Sequence, residues 1–302
     1  MRLWSTVVGL SLNTTLNRRA DVPVVQAMQY ATNGGKRLRA FLVRESARVC
    51  GADVARSVWP ACAIEALHAY SLVHDDLPCM DNDDLRRGQP TVHVKWDQAT
   101  AVLCGDALQT LAFELLSDPA CSDSAEVRAD LVLSLAKASG AEGMVFGQAL
   151  DIAAETADSA LSLGEITALQ AGKTGALITW SATAGARLAK ADLAPLTTYG
   201  DALGLAFQIA DDILDIESDA ATLGKATQKD AGAGKATFVS LLGMDEAKRR
   251  AAALARPAPA APQPAPVAPR PAPAAPRPTP PPAAPQPAPV APPPASAPPA
   301  ES

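Results

Sequence analysis

Apolar and small residues recur at helical spacings along residues 20–256, and runs alternating β-branched with polar positions are missing. Only six prolines fall in that stretch, while alanine and leucine are abundant, so helix should dominate and the fold class is all-α. The pattern predicts helices at about 24–33, 37–50, 58–76, 98–116, 125–153, 164–188, 195–216 and 236–255. Turn chemistry separates them at Gly34-Gly35, Gly51, Gly88-Gln89-Pro90, Asp118-Pro119 and the Gly/Lys/Asp-rich stretch 219–235. Helices of this length exceed the globular average and suggest a large bundle with a central apolar cavity.

Composition changes abruptly near the end of the chain. Residues 257–302 hold 21 of the 27 prolines, with 15 alanines among their 46 positions. Such a segment cannot bury an apolar core and reads as a Pro/Ala-rich disordered tail, leaving 1–256 as the folded domain. The whole chain carries a formal charge of -6; Arg270, Arg277 and Glu301 make the tail +1, so the domain carries -7. That balance argues against a nucleic-acid or anionic-membrane partner, and any phosphate site must be local or bridged by metal. Cys50, Cys62, Cys79, Cys104 and Cys121 are odd in number and lack CxxC pairing, so they read as free thiols in a reducing compartment. The start, Met1-Arg2 followed by LWSTVVGLSL, resembles a signal peptide only faintly, since the run is short and no small-residue cleavage site follows. No apolar stretch is expected to reach the roughly 20 residues of a membrane span. A cytoplasmic location is expected.

The most informative stretch is 68–93, HAYSLVHDDLPCMDNDDLRRGQPTVH, which contains all three histidines. In the preceding helix Ile64, Leu67 and Ser71 share a stripe that ends at Asp75, with His68 on the same face. Pro78 should then break the helix and gather Asp75, Asp76 and Asp81 at its end. Clustered carboxylates repel one another unless a cation is present, and oxygen-only ligands favour Mg2+ over zinc. A solvated acidic loop is the plainer reading of that segment alone.

A second acidic cluster, FQIADDILD, puts Gly204, Gln208, Asp211 and Asp215 on one helical face amid apolar neighbours, where unpaired carboxylates are costly to bury. Complementary cations are also present. Gly34-Gly35-Lys36-Arg37-Leu38-Arg39 opens a basic helix with Lys36 and Arg39 one turn apart, and Arg86-Arg87-Gly88 closes the first acidic segment. Lys173, Lys225 and Lys235 each follow a glycine. Arginine suits bidentate phosphate oxygens and lysine acts as a point charge. A single Gly-Lys pair is commonly just a helix end, and none has Walker spacing, so a P-loop is disfavoured.

Taken in order, GGKRLR, HAYSLVHDDLPCMDNDDLRRG, GDALQTLAF, GQALD, KTGAL, GLAFQIADDILD, ATLGK and GKAT resemble the polyprenyl diphosphate synthase (trans-prenyltransferase) family, most nearly its bacterial farnesyl diphosphate synthases, over residues 23 to about 250. The resemblance implies an isoprenoid-synthase bundle, usually a homodimer, that condenses isopentenyl diphosphate with an allylic diphosphate. Asp75, Asp76, Asp81, Asp211 and Asp215 would bind Mg2+, about three ions per site with Mn2+ able to substitute. Arg86, Lys173, Thr174, Gln208, Lys225 and Lys235 would contact the allylic diphosphate, and Lys36, Arg39, His68 and Arg87 the diphosphate of isopentenyl diphosphate. Asp212 joins Asp75, Asp76, Asp81, Arg86, Lys173, Asp211 and Lys225 in the catalytic set. His68 also has a plain reading as a core histidine.

Tyr70 and Ser71 lie about 7.5 and 6 Å below Asp75 along the helix, at 1.5 Å per residue, and should set product length. An aromatic at Tyr70 with the DDLPCMD spacing resembles the fifteen-carbon pattern, so farnesyl diphosphate is expected, with geranylgeranyl or geranyl diphosphate as alternatives. Two departures stand out from the resemblance. Ala40 stands where the family usually has proline, and Pro-Ala repeats begin where the family's last helices should continue, as a shifted reading frame or a replaced tail would produce. Exposed bundle surface there could lower activity, which keeps a second class open, a catalytically weak homologue acting as a regulatory or binding subunit. A class I terpene cyclase shares the fold but normally carries a different second metal motif.

Overall fold

The structure is a computed structural model that describes residues 2–156, 161–221 and 237–255, all within the first of the chain's two units, Met1–Pro257. Apart from a two-residue antiparallel ladder pairing Leu85–Arg86 with Gln89–Pro90, the regular structure of these residues is helical. The elements run α1 Arg2–Leu16, α2 Pro23–Ala31, α3 Leu38–Val49, α4 Val58–Asp75, α5 Val92–Lys95, α6 Gln98–Ser117, α7 Ala125–Ser139, α8 Met144–Glu155 and α9 Leu163–Gln170. A π-helical turn, Ala171–Gly175, leads directly into α10 Ala176–Ala189, followed by α11 Ala194–Ala221, α12 Phe238–Leu242 and α13 Met244–Leu254. The Pro/Ala stretch lies outside the described residues.

Local chemistry sets many of the boundaries. Pro23 opens α2, where its missing N–H is not needed. Asp97 caps α6 by accepting the Thr100 amide at 2.6 Å, and Ser162 with Glu165 forms a capping box at α9. Left-handed Lys190 ends α10.

The main core gathers residues of α1 to α8 and α10, with Ile64, Leu67, Leu108, Leu116, Leu131 and Leu135 fully buried. Burying each such side chain contributes about 1.5–3 kcal/mol. α4 is central: it packs along α6 and is bordered by α1, α3 and α10. A smaller core joins Ile166 of α9, Ile209 and Ile213 of α11, Phe238 and Val239 of α12, and Ala247 of α13.

Several boundaries differ from expectation. α1 was not anticipated; its Val8, Leu12 and Leu16 are buried against the bundle, so a pattern that faintly resembled an export signal is a core stripe. The helix expected over 125–153 breaks between Ser139 and Met144, where a Cβ at Gly143 would overlap the Ala138 carbonyl. The helix expected over 164–188 is interrupted by the π-turn, and that over 236–255 by left-handed Gly243. α6 also corrects the expectation about apolar length, since by length and composition Gln98–Ser117 could cross a membrane. Cys104, Leu108, Leu111, Ala112, Leu115 and Leu116 place its apolar side in the main core instead.

Candidate active site

An open cavity of about 590 Å³ lies between α4, α6, α8 and the π-turn. Arg39, His68, Tyr70, Ser71, Asp75, Lys173 and Thr174 all line it, so seven of the singled-out residues meet on one wall system. Asp76, Arg86 and Arg87 line an adjoining cleft of about 270 Å³ with Gly34 and Gly35. Lys225 and Lys235 lie outside the described residues.

The first acidic motif is built by the end of α4. The helix stops at Asp75, and the Asp81 amide donates to the Asp75 carbonyl at 2.8 Å, folding the DDLPCMD loop back on the helix end. Burial pushes the Asp75 carboxyl up to about 6, against the pull of the Lys173 cation and with a further push from Asp81 and Asp76. Asp76 is almost fully buried and also raised by burial, while Arg86 holds it with a 2.6 Å Nε bond and a 2.5 Å ion pair. Asp81 itself is exposed.

Two close backbone approaches fix this wall. A Cβ at Gly105 of α6 would overlap the His74 ring, whose Nε2 donates to the Val102 carbonyl at 3.0 Å. His74 in turn stacks edge-on against Tyr70, with ring centroids 5.2 Å apart. Across the cavity a Cβ at Gly147 of α8 would overlap the Lys173 backbone, so α8 and the π-turn touch main chain to main chain. The extra residue in that turn presents Lys173 and Thr174 to the cavity. There Lys173 donates to Asp151 at 2.6 Å.

The basic side is unusually desolvated. Arg39 has its Nε buried with no hydrogen-bond partner, and its pKa is lowered by burial against the pull of Glu65 and Asp211. Arg39 as a whole lines the cavity, where a guanidinium is a ready anion contact. His68 is held well below the usual histidine range, first by burial and then by Arg39 and Arg87, so it faces the cavity as a neutral imidazole. Lys36 precedes α3, as expected, and Arg37, the residue before Leu38, is left-handed. Arg87 lays its guanidinium against Gly35, where a Cβ would sit 3.0 Å from it.

The second acidic motif lies on α11. Gln208 and Asp211 are half-buried and Asp215 is exposed. Burial raises the Asp211 carboxyl, Asp215 adds to the rise, and Lys36 and Arg39 oppose it, so the motif faces the basic start of α3. Asp212 points elsewhere: its Oδ2 accepts the Phe238 amide at 2.7 Å and anchors α12.

Among the described residues no three acidic, histidine or cysteine groups converge into a protein-only metal cage. The donor set nevertheless fits a hard divalent cation. Desolvated, raised carboxylates gain from a cation, and a small oxygen-seeking ion usually keeps part of its shell for substrate phosphates. Sequence reasoning overlooked Glu65, Asp151, His74 and the glycines at 105 and 147. Asp151 sits inside the GQALD segment, and Glu65 is the single acidic residue of α4 before Asp75.

The helical bundle, an open cavity lined by Asp75, Arg39 and Lys173, and a second acidic motif that feels Lys36 and Arg39 are features of the class of isoprenoid synthases. Residues 22–262 match the family model for polyprenyl synthetase, and the chain belongs to that family of prenyltransferases. It is 48% identical over 240 residues to farnesyl diphosphate synthase of Escherichia coli (strain K12), covering 76% of this chain and 79% of that protein. It is 39% identical over 261 residues to the large subunit 1 of the heterodimeric chloroplastic geranylgeranyl pyrophosphate synthase of Arabidopsis thaliana, covering 83% of this chain and 70% of that one. The crystal structure of an FPP/GFPP synthase from Zymomonas mobilis superposes with a TM-score of 0.75 at 43% identity, over 84% of this chain and 88% of that one. Divalent-metal use and prenyl chain elongation follow from membership of the family.

Proposed function

We propose that the protein condenses isopentenyl diphosphate head to tail with dimethylallyl and then geranyl diphosphate, giving (2E,6E)-farnesyl diphosphate. The observation that carries this reading is the cavity itself: cations and Asp75 stand at one level, and Tyr70, only 8% exposed, lines it about a turn and a half of α4 below.

Lys173, Thr174 and Arg86 would hold the allylic diphosphate, with Gln208, Lys225 and Lys235 as further contacts. Lys36, Arg39, His68 and Arg87 would hold the diphosphate of isopentenyl diphosphate. When bound at Asp75, Asp76, Asp81, Asp211 and Asp215, Mg2+ (about three ions, Mn2+ substituting) would neutralise charge developing on the leaving diphosphate. The allylic carbon–oxygen bond breaks, the alkene attacks the resulting cation, and the proton lost from the new chain passes to the released diphosphate. The apolar walls keep water from quenching the cation. Neutral His68 can donate a hydrogen bond without adding charge near the cationic carbon.

A homodimer in the cytoplasm completes the reading. Val102, Val145 and Ile152 line the cavity yet are 42–45% exposed, and Leu103 and Phe146 beside them are 57% and 49% exposed, so a second copy over α6 and α8 would close the cavity. Labelled isopentenyl diphosphate with geranyl diphosphate and Mg2+ should give a fifteen-carbon product, and Tyr70→Ala a longer one. An unchanged product length in that variant would sink the assignment of Tyr70 as the floor, and absence of turnover by the native chain would favour a binding subunit.

A further inference from the structure

Behind the GGKRLR segment lies a buried ion pair that the proposed reaction does not use. Glu65 of α4 is 5% exposed and Arg37 is 7% exposed. Each oxygen of Glu65 has a separate task. Oε1 accepts the Ala40 amide at 3.0 Å, an N–H from the first turn of α3 with no partner inside the helix. Oε2 accepts from the Arg37 guanidinium at 3.2 Å, and the second terminal nitrogen of Arg37 donates to the Thr32 carbonyl at the end of α2. Arg37 is held at φ 54°, a conformation that is strained for a side-chain-bearing residue and persists only when its surroundings enforce it.

A buried ion pair is a poor device for stability alone, because desolvation offsets most of the attraction. Its geometry is more telling. The pair clamps the residues on either side of Lys36 and Arg39, the two cations at the start of α3. Glu65 lies one turn before His68 on α4, so one side chain ties the basic loop to the helix that carries His68 and Asp75. It is also the anion that the buried Arg39 feels most.

We propose that Glu65, acting through Arg37 and the Ala40 amide, is a positioning residue that sets Lys36 and Arg39 for the diphosphate of isopentenyl diphosphate. This rests on the assignment of Lys36, Arg39, His68 and Arg87 to that substrate. Glu65 itself touches no reacting atom; the clamp orders a charged loop before the substrate arrives.

Glu65→Gln keeps the shape and an acceptor for Ala40 but removes the charge that holds Arg37. Its KM for isopentenyl diphosphate should rise about tenfold, while KM for geranyl diphosphate and kcat change less than about twofold. In an Arg39→Ala background the same substitution should add less than about twofold, since both act through one contact. Equal rises in both KM values, full additivity with Arg39→Ala, or unchanged kinetics would overturn the proposal. Arg37→Lys, which keeps the charge but gives up the second nitrogen on Thr32, is read by the same criteria if Glu65→Gln fails to fold. Calorimetric titration with isopentenyl diphosphate separates this inference from the reaction assignment. A native chain that binds it but makes no product removes the reaction, while an affinity loss of about tenfold in Glu65→Gln upholds the clamp.

Discussion

The two acidic motifs sit on helices of very different surroundings. Asp75 and Asp76 end α4, whose Ile64, Leu67, Ala69, Tyr70 and Val73 are buried in the main core. Asp211 and Asp215 ride on α11, where Ile209 and Ile213 share a smaller core with α9, α12 and α13, and Leu214, Asp215 and Ile216 beyond are exposed. α4 is set among α1, α2, α3, α6 and α10, while α11 packs on α9, the π-turn, α10, α12 and α13. Burial raises both carboxyls, that of Asp75 to about 6. The contrast separates a charged helix end set into the main core from an acidic face of α11 that feels the basic start of α3.

The largest test of this contrast is catalytic. Asp75→Asn should lower kcat by on the order of 10²–10³, and Asp215→Asn by only about tenfold, because a desolvated group stabilises developing charge more than a solvated one. Equal losses in steady-state assays would erase the distinction. Asp75→Asn should also raise the melting free energy of the ligand-free protein at neutral pH by on the order of 2 kcal/mol, since a carboxylate with its pKa raised to about 6 is ionised there at a cost. A fall in stability would show that burial does not strain that carboxylate.

Packing provides the next test. Gly147→Ala, which forces a methyl into the Lys173 backbone, should cost about 3 kcal/mol in urea unfolding, whereas Gly204→Ala, facing the Gly175 Cα at 3.0 Å, should cost about 1 kcal/mol. Ile64→Ala in the main core should cost about 4 kcal/mol and Ile213→Ala in the smaller one about 2 kcal/mol, the more open site collapsing better around the lost atoms. Reversed orders would mean that α11 and not α4 anchors the site. The smallest effect concerns thiols. Cys79, exposed on the first acidic loop, should react quickly with a thiol reagent and half-buried Cys50 more slowly. Cys62, Cys104 and Cys121, pushed up to about 12 by burial, should react only on unfolding.

Much of this arrangement was legible in the chain. The stripe Ile64, Leu67, Ser71 and Asp75 pointed inward because helical spacing places residues three and four apart on one face. The second stripe through Gln208, Asp211 and Asp215 followed the same rule, whereas the amide that Phe238 offers Asp212 cannot be read from spacing. The breaks at 139–144 and 171–175 were missed for a related reason. Gly143 is small because the end of α7 lies against it, and Gly147 and Gly172 because each meets backbone about 25 residues away in the chain. The left-handed Arg37 before α3, paired with Glu65, likewise cannot be read from spacing.

What the sequence by itself determined was the all-α class, the helical faces and the inventory of carboxylates and cations, because these depend on period, composition and residue type within a few turns. Tertiary structure alone decided which charges are desolvated and which partner each one has. The Arg39 Nε lacks a hydrogen bond, Lys173 meets Asp151, Asp76 meets Arg86 and His68 stays neutral only because helices far apart in the chain exclude water from the space between them. Dielectric and partner choice are properties of that shared space, which no stretch of residues encloses on its own.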